Sequence, residues 1–209
     1  MPKPRKSKPA KVEGRAEAMQ RTRESLIEAG MALIGEHGLD VSLDAICERA
    51  GFTRGAFYVH FEDRDAFLVA VMDRVGVRFL DAVLGTGESD GDLGQTMERF
   101  LGSVQRGEYP LIGRRGVRPH QLLQACARSP KIRGRYVSLV LDSVSRLSSV
   151  LRRGQLQKRV RKDVEADAIG TILLAAVIGA QTMMELRVPI DLAYAGGTLL
   201  TMLAPAVKK

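Results

Sequence analysis

Cysteine and histidine are scarce in this 209-residue chain, and tryptophan is absent. With only two cysteines, Cys47 and Cys126, the chain has no disulfide framework and no four-cysteine zinc site, and we expect both residues to be small apolar fillers of a reduced protein. Three histidines argue against a multi-histidine metal centre, so no metal or cofactor is predicted. The longest uncharged stretch, residues 168–184, is shorter than the roughly 20 apolar residues of a membrane span. These absences predict a cytoplasmic protein that does not enter a membrane.

The formal net charge of +8 is concentrated at the N-terminus. Residues 1–23 contain eight lysines and arginines against two glutamates. Because prolines interrupt this segment and it offers little apolar surface to bury, we expect residues 1–17 to form a disordered basic arm. Such arms either follow the phosphates of a polyanion or act as solubilising tails, and the arm alone does not distinguish these roles.

The spacing of apolar residues predicts an all-α protein. Apolar side chains recur three and four residues apart through most of the chain, whereas the alternation typical of strands is nearly missing. A glycine-rich and acidic stretch at residues 85–92 is typical of a loop, and it lies between the N-terminal helices and a larger C-terminal set. The helices predicted beyond it are, approximately, 93–105, 117–128, 130–153, one beginning near Asp163 and one following Pro189.

After a first helix that ends near Gly38, the chain has the pattern of a helix-turn-helix. Ser42 and Thr53 are suited to cap two short helices, and Gly51 lies between them, where a left-handed backbone favours glycine. Phe57 and its neighbour four residues on predict the buried back face of the second helix. The other side chains of that helix would then face outward, as DNA recognition requires.

The run SLDAICERAGFTRGAFYVHFEDRDAFL, residues 42–68, resembles the DNA-binding domain of the tetracycline-repressor (TetR) family of bacterial transcriptional regulators. The shared features are the Ala-Gly turn at residues 50–51 and the run from Gly55 to Phe61, which contains Tyr-x-His-Phe. Four positions depart from the family pattern: Cys47, Phe52, Phe57 and Arg64. Three are apolar exchanges and the fourth keeps the cation, so the predicted fold is unaffected. The likeness covers roughly residues 20–80.

This resemblance implies a role for each residue of the turn and the second helix. The residues implied to hold phosphates are Ser42, Tyr58, His60 and Arg64. The residues implied to face the bases are Arg54, Ala56 and Val59, with Thr53 beside them at the start of the helix. Gly55 would let the backbone approach DNA closely, and Arg54 is suited to a bidentate contact with guanine.

The resemblance also implies a chain of two folded parts. The first is an N-terminal three-helix, homeodomain-like helix-turn-helix domain over residues 18–62, and the second is a C-terminal helical effector-binding and dimerisation domain over residues 63–209. Candidate residues for a small-molecule pocket in the second part are Phe100, Tyr109, His120, Leu123, Cys126, Met183 and Met184. The two methionines suit an adaptable apolar pocket, although core or interface packing is the alternative role.

The helix predicted after Asp163 is apolar over most of its circumference, which is more than one buried stripe requires. A second copy of the chain would cover the excess surface in a four-helix bundle, and the alternative is a central helix in a monomer core. The preceding helix offers a facing wall of Leu139, Leu147, Val150 and Leu151. In a homodimer, two-fold symmetry would place the recognition helices about one DNA turn (~34 Å) or a multiple of it apart, on a pseudo-palindromic operator.

These features together predict a dimeric repressor that binds double-stranded DNA and is released by a small-molecule effector. Two alternatives stay open: a DNA-binding regulator without such an effector, either protein-controlled or constitutive, and a small helical enzyme. The sequence has no glycine-rich phosphate loop, no paired histidines and no nucleophile elbow. No catalytic residue is therefore predicted.

Overall fold

A computed structural model describes residues 10–84, 93–105, 117 and 119–205, and the regular secondary structure of this part of the chain is entirely α-helical. The all-α prediction is confirmed for these residues, and the loop predicted at 85–92 lies outside them. The helices are α1 (Ala10–His37), α2 (Leu43–Ala50), α3 (Arg54–His60), α4 (Arg64–Leu84), α5 (Leu93–Gln105), α6 (Pro119–Arg128), α7 (Pro130–Leu156), α8 (Ala166–Glu185) and α9 (Leu192–Leu203).

The first helix begins earlier than the sequence analysis expected. Since α1 starts at Ala10, residues 10–17 are helical, and the expectation of a disordered arm over them was wrong. The physical reason is local composition, because the prolines end at Pro9 and the next residues are mostly alanine, glutamate, lysine and arginine, which are good helix formers. Residues 1–9 lie outside the described residues.

The helix-turn-helix formed by α2 and α3 is built from local caps. The hydroxyl oxygen of Ser42 accepts the backbone N–H of Ala45 at 3.1 Å, and that of Thr53 accepts the N–H of Ala56 at 3.2 Å. Gly51 ends α2 with φ at 75°, in the left-handed region. The predictions for both caps and for the glycine turn are confirmed.

The first of two hydrophobic cores is formed largely by α1, α2, α3 and α4, and three phenylalanines lie within it. Phe57 and Phe67 are fully buried, and their ring centroids lie 5.3 Å apart. Phe61 meets Phe67 edge-on, with a centroid distance of 5.0 Å. Helix α1 can lie against these rings because Gly30 has no side chain, and a Cβ there would overlap the Phe67 ring. Helix α3 is therefore anchored to the core through Phe57 on its buried face.

Helix α4 joins the helix-turn-helix to the C-terminal helices, because it packs on both α1 and α7. At the crossing with α7, a Cβ on Gly76 would lie 2.8 Å from a methyl carbon of Leu139. An ion pair between Asp73 and Arg135 spans the same two helices. Leu139 therefore packs on α4 of the same chain, and the expectation that it forms a wall of a dimer bundle was wrong.

A second core lies between α7, α8 and the end of α9. Leu151 is fully inaccessible, and Ile169 and Leu203 are 4% and 9% exposed. Val150 is also buried within the single chain. The expectation that Val150 and Leu151 form the other wall of a dimer bundle was therefore wrong, because the single chain already buries both side chains, and Leu151 packs against α8 and α9.

Helix α8 has apolar surface that the single chain leaves uncovered. Its 20 residues are long and apolar enough to cross a membrane by length and composition, although only 17% of the apolar window is buried in the structure. The helix runs from Ala166 to Glu185 and so includes Asp167 and Glu185, which a count of uncharged residues leaves out. Ile172, Met183 and Met184 are 62%, 46% and 39% exposed on this helix.

Candidate nucleic-acid interface

The short helix α3 presents one face to solvent and the other to the core. Phe57 is fully buried, whereas Tyr58 and Val59 are 53% and 65% exposed. Thr53 and Arg54 are also exposed at the start of the helix. A capped helix with a buried back and an open front is the arrangement that a reader of the DNA major groove needs.

Gly55 lies in the open part of this face. A Cβ built at this position would meet only the Thr53 hydroxyl oxygen, at 3.6 Å, which is an ordinary contact distance. Packing within the chain therefore gives no reason for a glycine here. The missing side chain instead leaves the α3 backbone open to close approach by another molecule, next to the half-buried Ala56.

Arg54 does not stand alone at the surface. Its Nε lies 2.5 Å from Oδ1 of Asp44, and its Nη2 donates to Oδ2 of the same carboxylate at 2.9 Å. Sequence reasoning missed Asp44. The available signal was a pair of opposite charges, one in the first turn of each helix of the helix-turn-helix.

Two residues implied to hold phosphates already make contacts within the chain. The exposed Ser42 hydroxyl accepts the α2 cap hydrogen bond, which leaves its own hydrogen free to donate. Arg64 is half-buried, and its Nη2 donates to the carbonyl oxygen of Leu39 at 2.5 Å. The guanidinium carries five N–H groups, so further donors remain for a phosphate.

A cation–π contact lies at the end of α3, and Asp63 caps the start of α4, as the sequence predicts. The guanidinium carbon of Arg23 lies 5.1 Å from the centroid of the Phe61 ring, over its face. Next to Phe61, His60 is half-buried at the last position of α3. Oδ1 of Asp63 accepts the N–H of Ala66 at 2.6 Å, and this hydrogen bond lowers the pKa of the Asp63 carboxyl, with nearby Lys131 also lowering it.

Both cysteines are buried, as predicted. Cys47 on α2 and Cys126 on α6 both belong to the first core. Burial raises the pKa of each thiol, which keeps it protonated at neutral pH. The two residues therefore act as apolar core side chains.

The residues suggested for an effector pocket differ in burial. Leu123, Met183 and Met184 are exposed on the single chain, and Cys126 belongs to the first core. Nδ1 of the exposed His120 lies 2.6 Å from Oε1 of Glu185, an ion pair or hydrogen bond that links α6 to α8. Phe100 is half-buried on α5, and Tyr109 lies outside the described residues.

A cavity of about 320 Å³ lies between the loop that joins α1 to α2, the start of α4, helix α6 and the start of α7. Its lining is mostly polar and includes Arg64, Gln121 and Arg128. None of the suggested pocket residues contributes to it, so their ligand-binding role stays a prediction.

Residues 26–71 match the family model described as bacterial regulatory proteins of the tetR family. This match covers the N-terminal helices, from within α1 into α4. Among curated relatives, this chain is 43% identical over 54 residues to the HTH-type transcriptional regulator YwcC of Bacillus subtilis (strain 168), an alignment that covers 25% of this chain and 24% of YwcC. It is 29% identical over 79 residues to YvdT of the same organism, which covers 37% of this chain and 41% of YvdT. The chain thus spans less than half of each of these relatives.

Solved structures extend the likeness to both the N-terminal and the C-terminal helices of the chain. SmeT bound to triclosan is 26% identical, with a TM-score of 0.66, over 87% of this chain and 89% of SmeT. SmeT is described as the repressor of the Stenotrophomonas maltophilia multidrug efflux pump SmeDEF. The reduced form of E. coli NemR is 22% identical, with a TM-score of 0.71, over 90% of this chain and all of NemR, and this likeness shows the fold alone.

Proposed function

We propose that this chain is a dimeric, sequence-specific DNA-binding transcriptional regulator of the TetR family that acts as a repressor in the cytoplasm. The observation that carries the proposal is the outward face of α3, with Phe57 buried behind it and Arg54, Tyr58 and Val59 open to solvent. Tyr58 and the Ser42 hydroxyl would contact phosphates, whereas Arg54 and Val59 would contact base edges in the major groove.

Dimerisation is proposed to use α8 and α9. Both helices are strongly apolar, yet Ile172 on α8 and Met202 on α9 are each 62% exposed in the single chain. A second copy packed on these helices would bury this surface in a four-helix bundle. The two recognition helices would then be related by a two-fold axis, which requires an operator with matching half-sites.

We propose that a small-molecule effector binds among the C-terminal helices and releases the operator. SmeT supports this proposal, since its solved complex holds triclosan and its fold covers 87% of this chain. The two helix-turn-helix domains of the dimer would adopt two arrangements, one that fits the operator and one that does not. To act, the effector must bind the second arrangement more tightly than the first. The packing of α4 on both α1 and α7 provides a mechanical connection between the two parts of the chain.

Selection of duplexes from a random pool with the full chain tests DNA recognition. We expect an enriched motif with two half-sites, and gel-shift titrations over a salt series should give a log–log slope of about −0.9 for each phosphate neutralised. A pool that stays random after several rounds would contradict the proposal. A separate experiment tests the effector. Apolar compounds such as triclosan are screened for a rise in the melting temperature of the protein, and each compound that binds is then tested for release of the protein from its operator.

A further inference from the structure

The contact between Asp44 and Arg54 uses one particular edge of the guanidinium. Nε and one hydrogen of Nη2 face the carboxylate, at 2.5 Å and 2.9 Å. Of the five N–H groups of arginine, the second hydrogen of Nη2 and both hydrogens of Nη1 remain. The outer edge, formed by Nη1 and Nη2 together, is therefore free, and this edge presents the two parallel donors that match O6 and N7 of guanine.

Both partners are fixed on short, capped helices. Asp44 lies in the first turn of α2, which the Ser42 hydroxyl caps, and Arg54 is the first residue of α3, which the Thr53 hydroxyl caps. The turn between the helices is set by Gly51. The carboxylate is thus held rigidly beside the recognition helix, and it restricts an arginine side chain that would otherwise sample many rotamers.

Folding stability does not account for this pair. The two side chains are 57% and 69% exposed, and exposed ion pairs contribute little to stability because water and salt screen them. In a DNA complex water is excluded from this surface, and the carboxylate acquires two effects. It aims the outer edge of Arg54 at a base, and its negative charge opposes contacts with the phosphate backbone.

We propose that Asp44 is a positioning residue that sets the sequence specificity of this protein by holding Arg54 for guanine. The inference rests on the proposed function, since it concerns the same recognition helix. Without the Asp44 carboxylate, Arg54 would contact phosphates and bases indiscriminately. Asp44 therefore increases discrimination between sequences while it decreases affinity for DNA of any sequence.

The test compares Asp44→Asn, Arg54→Ala and the double variant with the wild-type protein. The operator is first obtained by selection with the wild-type chain. Gel-shift titrations then measure binding to this operator, to operators with each G·C pair replaced in turn, and to a random duplex. A bidentate arginine–guanine contact gives roughly 5- to 150-fold discrimination at one position of each half-site.

We expect Asp44→Asn to lower discrimination several-fold at the position where Arg54→Ala lowers it, and to increase affinity for the random duplex. The double variant should match Arg54→Ala alone, since the carboxylate acts only through the guanidinium. Glu48→Gln removes one charge from the same helix and should leave discrimination unchanged. A structural role for Asp44 would alter the melting temperature and not the preference for one base pair.

Two results would overturn the inference while the proposed function stands: Asp44→Asn keeps wild-type discrimination, or the losses from the two single variants add in the double variant. If the wild-type chain selects no sequence at all, the inference and the proposed function fail together. Selection with the wild-type chain thus distinguishes failure of the inference from failure of the proposed function.

Discussion

Arg64 donates a hydrogen bond from Nη2 to the backbone carbonyl oxygen of Leu39 over 2.5 Å, and this contact ties the start of α4 to the loop between α1 and α2. Arg64 is half-buried, so the bond is only partly exposed to water. The TetR-family resemblance assigns the same residue a phosphate contact. Arg64 is therefore proposed to order the N-terminal helices α1 to α4 in the free protein and to bind DNA in the complex.

Arg64→Ala is expected to reduce both stability and DNA affinity. Loss of a hydrogen bond from a charged donor should lower the free energy of unfolding by about 1.5–3 kcal/mol. Loss of one phosphate contact should reduce the salt dependence of binding by about 0.9 in the log–log slope. Urea denaturation and a gel-shift salt series measure the two effects. Arg133→Ala, which removes an exposed cation on α7, serves as the control, and an Arg64 variant as stable as this control would refute the structural role.

The local features of the head were predictable from the sequence because they involve near neighbours. Ser42 and Thr53 each cap a helix that begins at the next residue, and Gly51 occupies a turn whose backbone favours glycine. The bond from Arg64 to Leu39 spans 25 positions, and no periodicity encodes it. Such pairings follow from how the helices cross, which local patterns do not specify.

The C-terminal helices show the same limit more severely. Apolar periodicity correctly indicated that Val150 and Leu151 are buried, but it did not identify the partner, which is the same chain. Likewise, the apolar character of Met183 and Met184 suits a pocket, a core or an interface equally well. The structure leaves both exposed on α8, and exposure in a single chain is what an interface requires.

Tyr58→Phe tests whether the phenolic hydroxyl of the recognition helix binds a phosphate. The ring is 53% exposed and packs edge-on against Phe57, with centroids 5.4 Å apart, so the variant keeps the packing. Loss of one hydrogen bond to a charged phosphate should weaken operator binding by about 1.5–3 kcal/mol. The salt slope should not change, because a neutral donor displaces no counterion. An affinity of Tyr58→Phe equal to that of the wild type would exclude the phosphate contact.

Ile172→Lys tests the proposed dimer surface. The side chain is 62% exposed on α8 of the single chain, so the monomer fold tolerates a lysine, whereas a lysine inside a four-helix bundle is unfavourable. Sedimentation velocity should show monomers for this variant and dimers for the wild type. Leu123→Lys is a matched control, since Leu123 is also 62% exposed but lies on α6. A dimeric Ile172 variant would place the interface elsewhere.

Gly30→Ala tests the close packing of α1 on the aromatic cluster. The added methyl group would overlap the Phe67 ring, which is fully buried and packed against Phe57 and Phe61 and so has little room to move. Overpacking of this kind should lower the free energy of unfolding by about 1–3 kcal/mol. Gly134→Ala provides the opposite case, because a Cβ there meets nothing within 4 Å and alanine favours a helix by roughly 1 kcal/mol. Urea denaturation should therefore shift in opposite directions for the two variants, and a shift in the same direction would contradict the packing argument.

Asp63→Asn tests whether the cap of α4 contributes a pH-dependent part of the stability. The N–H of Ala66 lowers the pKa of the Asp63 carboxyl below its ordinary value of 3.8 in the folded protein, and Lys131 also lowers it. A depressed folded-state pKa gives stability that is complete above the unfolded pKa and is lost as pH falls through the folded one. Asparagine still accepts the Ala66 hydrogen bond but does not ionise. The difference in melting temperature between the wild type and the variant should therefore be constant from pH 7 to about pH 5 and then shrink as the pH falls further. A difference that stays constant to pH 3 would show that the charge of Asp63 is not coupled to folding.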